Sequence, residues 1–387
     1  MVRLPIENSA KRYKFYSSIA RTIGKRNIGF IALQHCLKDL PHLLHALSEI
    51  GEVLAVVCIP YSMDENVFQE ISSTYKTFLP EMDQLHDNTY LGEVICTSST
   101  SKDVVLVEVG GYFSQYIDSL NNNIDNRIIG IIEDTEAGHR KYASRDDLQI
   151  PVVSVARSPL KAAEDAVIGP ASIFSIEKSL RAIDRPIDGM HATVLGYGKI
   201  GRGAAFALRT KNCVVSVFDI NPIARINALA DGYKVPRRDI ALSTADLIIG
   251  ASGYQSLTEG DLATVKSGVI LASCSSKQVE FDVKAIRNRF TRKNNITDRI
   301  ASHESSTASL LLLCDGMPVN FNDGSVVGPL ISIVHAEIIL SIGKLLQLHS
   351  EAIYGLRDSG ADIKQLAANL WLSEFIDERS GRYADFA

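Results

Sequence analysis

The sequence predicts an α/β protein made of two α/β segments. Three observations carry this. Short apolar runs suited to buried strands alternate with stretches whose apolar residues recur at helical spacing. A Pro/Gly break, RPIDGM at 185–190, separates two such alternating segments. The second segment opens on an apolar run, a glycine turn and a helical stretch rich in small residues, HATVLGYGKIGRGAAFAL.

Taken in order, residues 1–25 form an irregular or helical lead-in. NIGFIAL reads as a strand, and LKDLPHLLHALSEIG as a helix stopped by Gly51. EVLAVVCIP is a strand and DENVFQEISSTYKTFL an amphipathic helix. DVVLVEVGG is a strand ending in a glycine pair, and YFSQYIDSL a helix. RIIGIIEDT and PVVSVA are strands, followed by a long helix over roughly 159–182. Beyond the break, VVSVFDINP, ADLIIGASG and GVILASCSS are strands. The basic stretch 284–293 reads as a solvated helix face. Helical spacing returns over 329–348, and the last twenty residues are polar enough for a tail. Such alternation argues for mostly parallel sheets with helices on both faces.

Composition narrows the function. A chain of 387 residues accommodates two or three domains. The net charge of −5 leaves no overall positive field for nucleic acid or an anionic membrane, so a small-molecule substrate is the expected partner. The longest apolar stretch, 329–346, is interrupted by His335, Glu337 and Lys344, and no membrane span is predicted. The N-terminal basic residues are not followed by the apolar stretch of a secretory signal. Six scattered cysteines without a CxxC pair read as reduced thiols of a cytoplasmic protein. His42 and His45, three apart, belong to a helix face, and no metal site is predicted.

The most specific signal is Gly196-Tyr197-Gly198-Lys199-Ile200-Gly201 between a strand and a helix. Gly196 permits the tight turn, Gly198 lets backbone approach a pyrophosphate, and Gly201 allows helix to pack on strand. The helix N-terminus offers free N–H groups to the phosphates. Asp219 closes the next strand, where a carboxylate accepts both hydroxyls of an adenosine ribose and repels a 2′-phosphate. The predicted cofactor is NAD, with Arg225 nearby slightly weakening the preference over NADP.

These residues also carry a resemblance. LGYGKIGRGAAFALRTKNCVVSVFDINPIARINALADGYKV resembles the NAD-binding segment of the S-adenosylhomocysteine hydrolases. ADLIIGASGYQSLTEGDLATVKSGVILASCSSKQVEFDV continues it, with Ala251, Ser252 and Gly253 at a cofactor-binding turn and Val279–Val283 at a VEIDV-like stretch. GIIEDTEAGHRKY and SVARSPLKAAEDAVIG are similar to upstream segments of that family, and the resemblance covers roughly 25–345. It implies a Rossmann-type NAD domain, 171–325, inserted in a discontinuous α/β substrate domain, 1–170 and 326–365, with a C-terminal tail, 366–387. It also implies a homodimer or homotetramer, because the family's tail reaches a neighbouring subunit's NAD. Arg379 and Tyr383 have the spacing of the tail residues that make this contact.

The resemblance assigns roles. Lys161 falls on the catalytic lysine, and Asp165 on an aspartate that contacts the substrate hydroxyl; at i and i+4 the two share a helix face. His35 falls on a proton-handling histidine, and Asp134 stands where the family has glutamate. Thr135 and Asn320 fall on cofactor-binding positions. Glu136 and Ala137 stand where threonines are expected, Glu136 adding a negative charge near the site. Other positions depart: Val109 replaces an aspartate, with Glu108 facing the opposite side of its strand, Ala166 an asparagine, Pro170 a cysteine and Ser276 a histidine. The groups kept are those nearest hydride transfer; those lost serve adenosine recognition and elimination. The favoured expectation is an NAD-dependent enzyme oxidising a secondary hydroxyl of a nucleoside-like or polyol substrate through an altered pocket. The alternatives are a genuine hydrolase of S-adenosylhomocysteine and a non-catalytic NAD-binding regulatory paralogue.

Overall fold

The computed structural model describes residues 9–97, 103–118, 120, 127–275 and 277–376. Its strands are β1 (Ile28–Cys36), β2 (Glu52–Met63), β3 (Thr77–Phe78), β4 (Asp103–Glu108), β5 (Ile128–Glu133), β6 (Pro151–Ser154), β7 (His191–Leu195), β8 (Val214–Phe218), β9 (Leu247–Gly250), β10 (Val269–Ser273), β11 (Arg292–Asn295), β12 (Ile300–Glu304), β13 (Ser309–Leu313) and β14 (Gly355–Asp358). Its α-helices are α1 (Ser9–Ile23), α2 (Leu40–Ile50), α3 (Glu65–Ser72), α4 (Asn88–Cys96), α5 (Glu136–Ala143), α6 (Pro159–Arg181), α7 (Lys199–Thr210), α8 (Pro222–Ala230), α9 (Arg238–Thr244), α10 (Val283–Arg289), α11 (Leu330–Ser350) and α12 (Ala361–Phe375). The chain divides into two compact units, 1–164 with 328–387, and 165–327.

The first unit holds a seven-stranded sheet in the order β14-β6-β5-β4-β1-β2-β3, every pair parallel. A parallel sheet covered on both faces needs unbroken apolar strands, and IIGIIE of β5 is buried throughout. Gly130 in that strand lets α11 approach, since a Cβ there would stand 2.8 Å from Leu345. The strand order reverses between β1 and β4, and in such sheets the carboxyl ends at the reversal are where ligands bind.

Three expectations about this unit change. Residues 112–116 bend and turn, with the Glu108 carboxylate accepting the Tyr112 and Phe113 N–H groups, so the helix expected from Tyr112 starts late. Among the described residues of this segment, Ile117, Asp118 and Leu120 are helical. The helix expected over 64–79 stops at Ser72, and Thr77–Phe78 pairs with Val56–Val57 as β3. The expected tail, 366–387, is helical as far as Phe375: Ala367, Trp371 and Phe375 enter the core, and the Trp371 indole N–H donates to Pro329 O. Residues 377–387, with Arg379 and Tyr383, lie outside the described residues.

The second unit holds a sheet in the order β11-β12-β13-β10-β9-β7-β8. From β13 to β8 the neighbours are parallel, whereas β11, β12 and β13 form an antiparallel meander. The basic stretch 284–293 is therefore not one helix face. Phe290, 2% exposed, ends α10, and Arg292–Asn295 becomes an exposed edge strand against β12. At the start of this unit α6 packs on α7 through facing glycines. A Cβ on Gly169 would meet Ala204 N at 2.3 Å, and one on Gly203 would meet Ala166 O at 2.7 Å. Pro170 sits in this contact, where the departure from the family's cysteine was noted.

Candidate functional site

Strand register assembles the cofactor residues of the second unit. Leu195 at the end of β7 pairs with Phe218 of β8 on one side and Gly250 of β9 on the other. The residues that follow, Gly196, Asp219 and Ala251, therefore emerge side by side at the carboxyl edge. Gly196 has φ +100°, and a Cβ there would stand 2.6 Å from Ala251 O. A Cβ on Gly201 would lie 2.0 Å from Gly196 O, so only glycine lets α7 start this close to the turn. Gly198 is the N-cap of α7 and supplies no side-chain cap, and the space beside its Cα is open. Ile200 packs against the core, and Lys199 Nζ lies 3.2 Å from Asp165 Oδ2.

Asp219 accepts the Tyr197 N–H at 2.6 Å and the Asn221 N–H at 2.8 Å, one on each carboxylate oxygen. Its carboxylate is thereby aimed across the glycine turn. The Ala251–Gly253 turn is organised by Glu280, which lies in the VEIDV-like stretch but was given no role there. Glu280 is fully buried and accepts the Ser252 and Gly253 N–H groups, both at 2.7 Å, and the Ser252 and Ser275 hydroxyls. Asn320 is buried, its amide donating to Ser325 Oγ while Oδ1 has no hydrogen-bond partner among the described residues. An uncapped helix N-terminus, an open glycine shelf and an orphaned buried acceptor fit a dinucleotide. Ser276 lies outside the described residues.

In the first unit the candidate residues gather at the carboxyl ends of β1, β5 and β6. His35 lies at the end of β1, hydrogen-bonded through Nδ1 to Ser62 Oγ and packed beside Tyr61. Thr135 caps α5. Its hydroxyl donates to Glu133 Oε1 and accepts the Gly110 and Gly138 N–H groups. A hydroxyl has one proton and two lone pairs, so these bonds occupy it fully. Glu136 is neutralised by Arg140 at 3.0 Å and Arg157 at 2.7 Å. Burial pushes its carboxyl up, but the two guanidiniums bring it down to about 2. Glu108 does face away from Val109's side, as expected, but into the core, where Tyr142 donates to it. Beside it Glu133 is raised to about 8, first by burial and then by the Glu108 charge.

Lys161 stands in the first turns of α6 with its side chain mostly buried. Its ammonium lies 3.0 Å from Asp134 Oδ1 and 2.8 Å from Glu164 Oε2. On its own helix Lys161 thus has Glu164 at i+3 as an ion-pair partner, and Asp165 pairs with Lys199. His335 of α11 is buried near Asp134, its Nδ1 hydrogen-bonded to Tyr16 Oη at 2.6 Å. Burial drives the His335 imidazolium down to about 3, against the pull of Asp134. Glu164 lies within SVARSPLKAAEDAVIG but carries no role there, and His335 only interrupts an apolar stretch. The i+3 spacing of Glu164 from Lys161 was the one signal available.

Comparison with known proteins follows this geometry. Residues 172–326 match the family described as "S-adenosyl-L-homocysteine hydrolase, NAD binding domain". An adenosylhomocysteinase of Sulfolobus acidocaldarius is 28% identical over 221 residues, 56% of this chain and 52% of that protein. In that alignment the chain spans about half the relative's length. An adenosylhomocysteinase of Thermoplasma acidophilum is 24% identical over 336 residues, 85% of this chain and 81% of that protein. Among solved structures, the pyruvate reductase of Chlamydomonas reinhardtii aligns with a TM-score of 0.43 at 14% identity, over 85% of this chain and 98% of that one. Residues 172–326, which hold the glycine turn, Asp219 and the Ala251 turn, are thus similar to the NAD-binding domain of the S-adenosylhomocysteine hydrolases, and the cofactor is NAD.

Proposed function

We propose that the chain is an NAD-dependent enzyme that oxidises a secondary hydroxyl of a nucleoside-like or other polyol substrate. Its substrate pocket is changed from that of the S-adenosylhomocysteine hydrolases. The observation that carries this reading is Lys161, a buried amine held at 3.0 and 2.8 Å by two carboxylates, on a chain that binds NAD. Bound NAD supplies the hydride acceptor. The hydroxyl proton needs an acceptor of its own, and Lys161 is that group. Asp134 orients the amine and stabilises its charged form. His35, fixed by Ser62, handles a second proton at the end of β1. The substitutions at Val109, Ala166 and Pro170 remove polar partners, and a site lacking them no longer selects the same hydroxyls. The same reading makes the protein a cytoplasmic homodimer or homotetramer acting on a small molecule.

The test is spectroscopic. The purified protein is loaded with NAD and mixed with adenosine or S-adenosylhomocysteine, and absorbance is followed near about 340 nm. Reduction without homocysteine release supports the proposed reading. Reduction with homocysteine release shows a genuine hydrolase, the reading favoured by the relatives' names. No reduction across a panel of nucleosides and polyols, with NAD demonstrably bound, supports a non-catalytic NAD-binding protein. The observation favouring that last reading is that Lys161 rests between two carboxylates, which suits a locked ion pair.

A further inference from the structure

We propose that Glu164 decides when Lys161 can accept a proton. This rests on the reading of Lys161 as the base. A base needs a lone pair, and an ammonium has none. Two carboxylates within 3.0 Å favour the ammonium. The amine becomes a base only when one of its protons moves to a group in hydrogen-bond reach.

Glu164 meets the requirements for that group. Its Oε2 is 2.8 Å from Nζ, against 3.0 Å for Asp134, and its side chain is 5% exposed against 9%. It sits three residues along the same helix, so backbone geometry keeps the two side chains on neighbouring positions. Burial also makes a neutral pair attractive, because each buried charge carries a desolvation cost. Asp134, at 3.0 Å, is the other carboxylate at the amine, and it stands farther off and is more exposed than Glu164. His335 is buried and hydrogen-bonded to Tyr16, and His42 is held down to about 4, chiefly by burial. Arg12 is paired with Asp39, and Asp165 with Lys199.

The step balances. One N–H bond of the Lys161 ammonium breaks, its electron pair staying on nitrogen, and an O–H bond forms at Glu164 Oε2. The charged pair becomes a neutral amine and a neutral acid. The amine then takes the proton of the substrate hydroxyl as the adjacent carbon gives up its hydride.

Competitive acetylation tests this without requiring turnover. The NAD-loaded protein is treated with a trace of acetic anhydride from pH 7 to about 11, and acetylation at residue 161 is read by peptide mass spectrometry. Glu164→Gln is expected to lower the midpoint of Lys161 labelling by about one pH unit or more. Glu164→Asp, which keeps the charge on a shorter arm, shifts it less in the same direction. That second variant serves as the measurement if the glutamine variant does not fold. Coincident midpoints for the wild type and the folded variants overturn the proposal. A shifted midpoint in a protein that reduces no NAD with adenosine, S-adenosylhomocysteine or other polyols leaves Glu164 in control of Lys161. It then removes the catalytic reading of the lysine instead.

Discussion

In the proposed reading two demands meet at Lys161: the amine must be held still, and it must give up a proton before it can take one. Asp134 and Glu164 meet the first demand, and the second separates the functional readings. Lys161→Met is expected to abolish NAD reduction while NAD binding, followed by calorimetry, stays unchanged. Loss of binding would show that the lysine serves the fold rather than the chemistry. Asp219 makes the complementary case. Its two oxygens each hold a backbone N–H, so the carboxylate is rigid before any ribose arrives. Asp219→Asn is expected to weaken NAD binding about tenfold and to narrow the gap between NAD and NADP. Equal affinities before and after the change would remove Asp219 from the cofactor site.

At the scale of elements, the Ala251–Gly253 turn hangs on Glu280. Glu280→Ala leaves the Ser252 and Gly253 N–H groups without their acceptor, and is expected to cost about 2–4 kcal/mol in denaturant unfolding and to weaken NAD binding. A stable variant with normal NAD affinity would refute this. The same turn shows what a sequence reveals and what it hides. The glycine turn was legible because each glycine answers a steric demand: Gly196 against Ala251 O, and Gly201 against Gly196 O. Glu280 was hidden because nothing local announces that a carboxylate 28 residues downstream will turn inward to bind Ser252. The parallel strands were legible from their apolar runs. The antiparallel meander was not, because RKNN of β11 is polar throughout and gains its strand form only from pairing with β12. YFSQYIDSL carries helical spacing, yet its first residues turn while the Glu108 carboxylate accepts their N–H groups, and helical residues follow at Ile117, Asp118 and Leu120. Legibility thus ended where long-range partners overrule local pattern.

At the scale of the whole molecule, buried carboxylates set how stability responds to pH. Glu133 has an ordinary value of 4.5 and is raised to about 8, first by burial and then by the neighbouring Glu108. The folded state therefore holds that proton more tightly than the unfolded state. The stabilisation is complete below 4.5 and is lost as pH rises through about 8. Melting temperature is expected to fall across that interval, and Glu133→Gln to flatten the fall. A profile as steep in the variant as in the wild type would assign the dependence to other groups. Glu136 acts in the opposite direction, its bonds to Arg157 and Arg140 weakening as pH drops towards about 2, but it is exposed enough for solvent to damp the effect.

The exposed strand Arg292–Asn295 has a colloidal consequence. It closes the second sheet with a row of backbone donors and acceptors facing water, the kind of border onto which another chain could add its own strand. Arg292 and Lys293 line that border with charged side chains, paired with Glu304 at 3.9 Å and Asp315 at 3.4 Å, and a strand added there would have to strip water from them. Replacing both with threonine would keep the strand and remove that cost. The protein would then be expected to scatter light and bind thioflavin on standing at concentrations where the natural chain stays clear.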